Sequence, residues 1–252
     1  MNHLNSLLDE TIVDLRHPRT ASSVVIICEH ASPFIPEVFD NLGVAEEALR
    51  SHVAWDPGAL ALAEAMAARL EATLIASKTS RLVYDCNRPP EAVDAMPARS
   101  EVVDVPQNVD LTTAQKNHRV KTYYEPFRSA VAQVVARIET PILITVHSFA
   151  PVYHGVRREV EIGILHDDDA RLADAILVAA QTDHIIRRNE PYGPADGVTH
   201  TLKEHALPGG HLNVMLEVRN DLIADADAQS AVADTLTAWI KRALETTQVA
   251  AC

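Results

Sequence analysis

Two apolar runs in the chain each end in a histidine followed closely by a serine. Residues 24–27 (VVII) lead into Glu29 and His30, and residues 141–149 (PILITVHSF) end in His147 and Ser148. A continuous apolar run is typical of a central strand that is covered on both faces. Ligands of open α/β sheets gather outside the carboxyl ends of such strands. The pattern therefore predicts two buried strands that present polar side chains at one edge of a sheet.

Apolar runs and helical periods alternate along the rest of the chain. Further strands are predicted at residues 73–77, 81–84, 160–165, 184–188 and 212–218, and helices at residues 5–13, 46–53, 55–72, 112–138, 167–182, 198–206 and 226–244. Residues 91–111 contain scattered prolines without a period, which indicates a long loop able to cover a site. This alternation predicts an α/β fold with a mostly parallel sheet covered on both faces. Since no linker interrupts it, we expect one domain over residues 1–252.

Composition narrows the possible partners. With 47% hydrophobic and 23% charged residues, the chain of 252 residues has the composition of a globular protein. A net charge of -13 argues against nucleic acid or an anionic membrane as the main partner, but leaves room for a small anionic substrate. Three widely spaced cysteines without a CxxC motif indicate neither a disulfide framework nor a cysteine zinc site. No signal peptide or transmembrane segment is predicted, so a reducing, cytoplasmic setting is expected.

The polar residues at the predicted strand ends are of types that a zinc hydrolase needs. They are Glu29, His30, Asn87, Arg88, His147, Ser148, Glu217 and Arg219. Two neutral imidazoles and one carboxylate can hold the ion and leave a fourth position open for water. A nearby glutamate can accept and return a proton. Arginine and asparagine can bind a substrate carboxylate through charge-assisted hydrogen bonds.

Spacing alone leaves other interpretations open. No HExxH motif is present, and a histidine at a strand end is more often an ordinary surface residue. Asn87 and Arg88 could form a simple turn with a salt bridge, and Glu217 and Arg219 could pair with each other. A serine mechanism is disfavoured because no serine lies in a GxSxG motif and adjacent residues of a strand point to opposite faces.

Several short motifs, in order, resemble the N-formylglutamate amidohydrolase family, whose wider relatives include zinc carboxypeptidases and succinylglutamate desuccinylases. The motifs are CEHAS at 28–32, AWDPGA at 54–59, SRLVYDCNRP at 80–89, TVHSF at 145–149, the segment 192–198 and MLEVRNDLI at 215–223. The resemblance implies a single three-layer αβα domain of the phosphorylase/hydrolase-like, zinc exopeptidase-like type. It also implies a zinc-dependent amidohydrolase that cleaves N-formyl-L-glutamate to formate and L-glutamate, a late step of histidine degradation.

The same resemblance assigns the metal ligands. His30 and His147 are similar to the family's histidine ligands of one Zn²⁺ per chain. The carboxypeptidase relatives take their third ligand from an HxxE pair, but here the residue three after His30 is Pro33. Asp56, in the Trp-Asp motif, is therefore the first choice for the third ligand, and Glu29 is the second.

The remaining assignments concern the base and the substrate. Glu217 is similar to the relatives' general base, and Asn87 and Arg88 are similar to their carboxylate-binding pair. Arg81 and Arg219 could assist a second carboxylate, and Ser148 is a further candidate for substrate binding. The expected partner is a small anionic N-acyl amino acid. Two rival hypotheses are a non-catalytic binding protein for a small carboxylate, and the same chemistry on another acyl amino acid or a peptide carboxyl terminus.

Overall fold

A seven-stranded mixed sheet lies at the centre of the computed structural model, which describes residues 11–17 and 20–249. Numbered along the chain, the strands of the described residues are β1 (Val13–Arg16), β2 (Val24–Cys28), β3 (Thr73–Ser77), β4 (Arg99–Ser100), β5 (Val103–Asp104), β6 (Ile142–Phe149), β7 (Val152–Tyr153), β8 (Val156–Arg157), β9 (Ile162–Leu165), β10 (Ile186–Arg188) and β11 (Asn213–Arg219). Four of them lie outside the large sheet, in the separate pairs β4-β5 and β7-β8. The sheet order is β1-β3-β2-β6-β11-β9-β10. The four strands β3, β2, β6 and β11 are mutually parallel. Strand β1 runs antiparallel to β3, and β9 runs antiparallel to β11 but parallel to β10. The mostly parallel sheet is thus confirmed.

Helices and short turns connect the strands. The helices are α1 (Glu46–Leu49), α2 (Ala59–Leu70), α3 (Thr113–Arg119), α4 (Glu125–Val135), α5 (Arg171–Ala179), α6 (His200–His205) and α7 (Ala226–Val249). A π-helical turn at Val120–Tyr124 joins α3 to α4, and 3-10 turns lie at Glu37–Gly43, Pro106–Asn108, Pro194–Asp196, Leu207–Gly209 and Asn220–Ile223. Among the described residues, no helix is both long and apolar enough to cross a bilayer.

The sheet separates two apolar cores. Ile26 packs in the core that includes Leu62 of α2 and Trp239 of α7, and its neighbour Ile27 packs in the core that includes Phe127 of α4. Successive side chains of a strand point to opposite faces, so β2 contributes to both cores. Helices α2, α5 and α7 pack together on one face and α4 lies on the other. This arrangement confirms the three-layer αβα fold.

Three local predictions differ from the structure. Residues 5–10 of the predicted first helix lie outside the described residues, and Val13 begins strand β1 because it can pair with the edge of β3. Residues 81–84 form a turn instead of a strand, in which the Ser80 hydroxyl donates to Ala54 O at 2.7 Å. The helix predicted to begin near Asp56 begins at Ala59. The loop at residues 91–111 contains the short β4-β5 hairpin.

Candidate metal centre and active site

Three neighbouring parallel strands bring the predicted site residues to one edge of the sheet. His30 follows β2 by two residues, and His147 lies near the end of β6. Glu217 of β11 lies directly opposite His147 in the register of the two strands. The backbone N–H of Asp56 donates to His30 O at 2.9 Å, which ties the segment before α2 to the same edge. Residues from four distant parts of the chain therefore meet at the carboxyl ends of the central strands.

Two histidines and one aspartate converge on a common point. Asp56 Oδ2 lies 3.2 Å from His30 Nδ1 and 2.9 Å from His147 Nδ1, and the two ring nitrogens are 3.2 Å apart. All three residues are buried. Two imidazole nitrogens and one carboxylate oxygen are a donor set that suits a catalytic zinc ion, because it leaves a coordination position open. The residues present thus fit a divalent metal.

A second carboxylate lies near the Nε2 atom of each histidine. Asp85 Oδ1 lies 2.7 Å from His30 Nε2. Glu29 Oε2 lies 3.1 Å from His147 Nε2 without the alignment of a hydrogen bond. Carboxylates at the far ring nitrogens orient metal-binding histidines and increase their basicity. Glu29, the second choice for the third ligand, therefore lies at Nε2 of His147, whereas Asp56 lies at Nδ1 of the same ring.

The charges of this buried group are strongly coupled. Burial raises the pKa of Asp85, but attraction to His30 and Arg81 outweighs it and holds that pKa well below the usual range. Burial lowers the pKa of His147, but Glu29 and Asp56 raise it well above the usual value. For Asp56, His30 and His147 likewise overcome burial and lower the pKa. The histidines and carboxylates of this group therefore stabilise one another's charged forms.

Two residues predicted to bind substrate also contact the candidate ligand Asp56 or its neighbours in the structure. The backbone N–H of Ser148 donates to Asp56 Oδ2 at 3.3 Å, and the Ser148 hydroxyl donates to Pro57 O at 2.7 Å. Arg81 reaches Asp56 Oδ1 at 3.4 Å and Asp85 Oδ2 at 3.0 Å. Both side chains also line the cavity described below. Their contacts with the protein show a supporting role for the Asp56 and Asp85 carboxylates.

Glu217 is buried beside this group and has a carboxylate oxygen without a partner. Its Oε2 makes no hydrogen bond to any of the described residues. Burial raises the pKa of Glu217 to about 7; the nearby His147 opposes this change and Asp56 adds to it. A carboxylate that exchanges its proton near neutral pH is suited to general acid–base chemistry. Its burial, its unpaired oxygen and its pKa make Glu217 a candidate for the general base, a role that stays a prediction.

A cavity of about 500 Å³ opens over these side chains. Its lining comprises His30, His52, Asp56, Arg81, Asn87, Arg88, Ser100, Glu101, His147, Ser148, Phe149, Ala150, Tyr153, Arg158, Pro191, Tyr192, Asp196, Val198, Met215 and Glu217. The volume is within the range of small-molecule sites. Ser100 and Glu101 belong to the segment 91–111, and Glu101 Oε2 lies 2.6 Å from His52 Nε2. That segment therefore forms part of the cavity wall.

Asn87 and Arg88 line the cavity but are largely engaged by the protein. Arg88 Nη1 donates to Gly197 O at 2.9 Å, and its Nε donates to Asp94 at 2.7 Å. Asn87 Oδ1 accepts the backbone N–H of Thr201 at 3.0 Å. These bonds fix the backbone around residues 196–201 that closes one side of the cavity.

Arg219 is placed differently from the sequence prediction. Its Nη1 donates to the carbonyl oxygens of Arg158 and Glu159 at 3.3 and 3.4 Å, and its Nε donates to Asp221 at 2.8 Å. It does not line the cavity. Its guanidinium holds the backbone that follows β8 in this structure, and a role of Arg219 in substrate binding stays a prediction.

Asp85 and Arg158 are two components of the site that were not predicted. Asp85 could have been suspected, since it lies in the polar turn two residues before Asn87. Arg158 had no such signal, because it lies in a polar stretch that looks like an exposed loop. Only the fold brings Arg158 to the cavity, beside Tyr192.

The mostly parallel αβα sheet carries a His-Asp-His group and an unpaired glutamate at its carboxyl edge, an arrangement suited to a hydrolase site that could hold a metal ion. Residues 22–224 match the N-formylglutamate amidohydrolase family. Because this match spans most of the sequence and every candidate residue above, the chain belongs to that family. It is accordingly a hydrolase of the amidohydrolase class.

Two solved structures share this fold. The crystal structure of gene product Atu2144 from Agrobacterium tumefaciens is similar with a TM-score of 0.93 and 48% identity, over 96% of this chain and 99% of that one. N-formylglutamate amidohydrolase from Ralstonia eutropha JMP134 is similar with a TM-score of 0.67 and 19% identity, over 94% of this chain and 99% of that one; this second likeness shows the fold alone. A comparison with curated protein sequences finds no significant match.

Proposed function

We propose that the protein is a zinc-dependent amidohydrolase that cleaves N-formyl-L-glutamate to formate and L-glutamate. The observation that carries the proposal is the convergence of His30, Asp56 and His147 within 3.2 Å, beside the unpaired Oε2 of Glu217. Family membership supports the formyl amide as the bond that is cleaved. A small anionic N-acyl amino acid is the substrate class, and cytoplasmic histidine degradation is the setting in which this substrate arises.

His30, Asp56 and His147 would hold the ion, which when bound would lower the pKa of water and polarise the formyl carbonyl. Glu217 accepts a proton from the attacking water while the oxygen of the water bonds to the formyl carbon. The C–N bond then breaks, and Glu217 returns the proton to the departing amine nitrogen. Asp85 and Glu29 keep the imidazoles oriented.

The direct test is formate release from N-formyl-L-glutamate by zinc-loaded protein. Glu217→Gln keeps the shape of the side chain but cannot accept the proton, so we expect turnover to fall by about 10²- to 10⁴-fold. Its zinc content should stay at that of the wild type, because Glu217 is not among the converging ligands. Glu245→Gln, at an exposed position on α7, is the matched control. Absence of formate from the wild type, or full activity of Glu217→Gln, would reject the proposal.

A further inference from the structure

Three arginines line the cavity, and two of them are neutralised by the protein. Arg81 pairs with Asp56 and Asp85, and Arg88 pairs with Asp94. Arg158 has no carboxylate partner among the residues that the structure describes. A cation that lines a small cavity without a counter-ion attracts an anionic ligand group to that place.

The Arg158 side chain is enclosed by aromatic rings. Its guanidinium carbon lies 4.3 Å from the ring centre of Tyr153, 4.7 Å from that of Tyr192 and 5.5 Å from that of Phe149. At these distances each ring attracts the cation through its π face. The rings therefore hold the guanidinium in one place but offer no oxygen to most of its N–H groups.

One nitrogen of this guanidinium is buried and unsatisfied. Arg158 Nη1 makes no hydrogen bond to any described residue. Buried donors of native proteins are nearly always paired, and a missing partner costs free energy. A substrate carboxylate would satisfy the donor, since a planar guanidinium can donate two parallel N–H bonds to it.

The backbone of Arg158 is fixed at both of its polar groups. Its N–H donates to Pro151 O at 2.9 Å, and its carbonyl accepts from Arg219 Nη1 at 3.3 Å. Phe149, one of the three rings, follows His147 by two residues on β6, so the two side chains point to the same face of the strand. The position of Arg158 is therefore coupled to the strand that carries a candidate metal ligand, and a preorganised group of this kind binds at a lower entropic cost.

We propose that Arg158, held by Phe149, Tyr153 and Tyr192, binds a carboxylate of the acyl amino acid substrate. This inference rests on the proposed function for the identity of the substrate. Burial, with the charge of Glu217, raises the pKa of Tyr192 to about 12, so its hydroxyl stays protonated beside the cation. Arg88 and Arg219 then act as supports of the cavity wall and of the Arg158 backbone.

The test compares Arg158→Met with Arg157→Met, a matched substitution at an exposed neighbour outside the cavity. Steady-state rates are measured for N-formyl-L-glutamate and for its two monoamides, N-formyl-L-glutamine and N-formyl-L-isoglutamine. We expect Arg158→Met to raise KM for the dicarboxylate by about 10- to 100-fold with little change in kcat, because this contact forms equally in the ground state and the transition state. The monoamide that lacks the bound carboxylate should be nearly insensitive to the substitution, which identifies that carboxylate.

Equal increases of KM for all three substrates, or no increase beyond that of Arg157→Met, would overturn the proposal. Arg158→Lys keeps the charge and the aliphatic part of the side chain but loses the two parallel donors, so we expect a smaller rise of KM, of about tenfold. This variant replaces Arg158→Met in the test if Arg158→Met does not fold. Binding of glutarate is measured by calorimetry in parallel. If the wild type releases no formate, the proposed substrate fails, while weaker glutarate binding by Arg158→Met than by Arg157→Met still supports the role of Arg158. Equal glutarate binding by both variants would reject that role.

Discussion

Asp85 gives the sharpest test of how the candidate metal centre is organised. Its Oδ1 accepts from His30 Nε2 at 2.7 Å and from the Asn87 backbone N–H at 2.9 Å, and its Oδ2 accepts from Arg81 at 3.0 Å. The substitution Asp85→Asn preserves the size of the side chain and removes its charge. The new amide N–H₂ group also faces at least one of the donors from which the carboxylate accepted a hydrogen bond.

The expected magnitude follows from the bond to His30. A hydrogen bond to a charged group contributes about 1.5–3 kcal/mol and a neutral one about 0.5–1.5 kcal/mol. The loss of charge at Asp85 should therefore cost about 1–1.5 kcal/mol of metal-binding free energy. Since about 1.4 kcal/mol corresponds to a factor of ten, we expect zinc affinity to fall roughly tenfold, within the range found for such outer carboxylates.

Zinc affinity is measured by competition with a chromogenic chelator, for the wild type, Asp85→Asn and Asp234→Asn. Asp234 pairs with Arg69 on the surface and serves as the control for removing an aspartate charge. Thermal unfolding of the metal-free proteins shows whether Asp85→Asn remains folded. An affinity equal to that of the wild type in folded Asp85→Asn would refute the conclusion that Asp85 orients His30 for metal binding.

Two further predictions concern the same group. Gly58 has a φ of +82°, and a Cβ there would lie 2.7 Å from Ile223 O. Gly58→Ala should therefore shift the loop that carries Asp56 and lower both the melting temperature and the zinc affinity. Unchanged values of both would show that the loop tolerates a side chain. Burial lowers the pKa values of His30 and His147, but neighbouring carboxylates raise them above the usual value. Protonation of these histidines therefore stabilises the metal-free fold at low pH, and this contribution is lost as pH rises through the raised pKa values. Because zinc must displace those protons, its affinity should increase as pH rises through the raised pKa values. A zinc affinity that stayed constant in calorimetry over that rise in pH would contradict this prediction.

The local pattern of the chain was enough to predict the sheet and its polar edge. Residues 24–27 and 141–149 are apolar runs without a break, and each forms a fully buried strand. Burial on both faces requires such runs whatever the rest of the fold, so they can be recognised without tertiary information. His30 and His147 could be predicted for the same reason, because each comes where a run ends.

The pattern was less informative where a tertiary contact decides the backbone. Residues 81–84 have the composition of a strand, but Ser80 bonds to Ala54 and turns the chain. That turn places Arg81 and Asp85 beside Asp56 and His30. A hydroxyl that finds an acceptor 26 residues away cannot be inferred from neighbouring residues in the sequence.

The roles of the arginines show the same division most clearly. Residue type and strand position indicated several cations near strand ends, and the resemblance to the family indicated a zinc-type donor set. Whether a guanidinium faces a ligand or the protein depends on which acceptors surround it after folding. Arg219 meets backbone carbonyls and is satisfied, whereas Arg158 meets aromatic rings and keeps an unsatisfied donor. Such satisfaction is a property of contacts between distant segments, so only the tertiary structure could assign it.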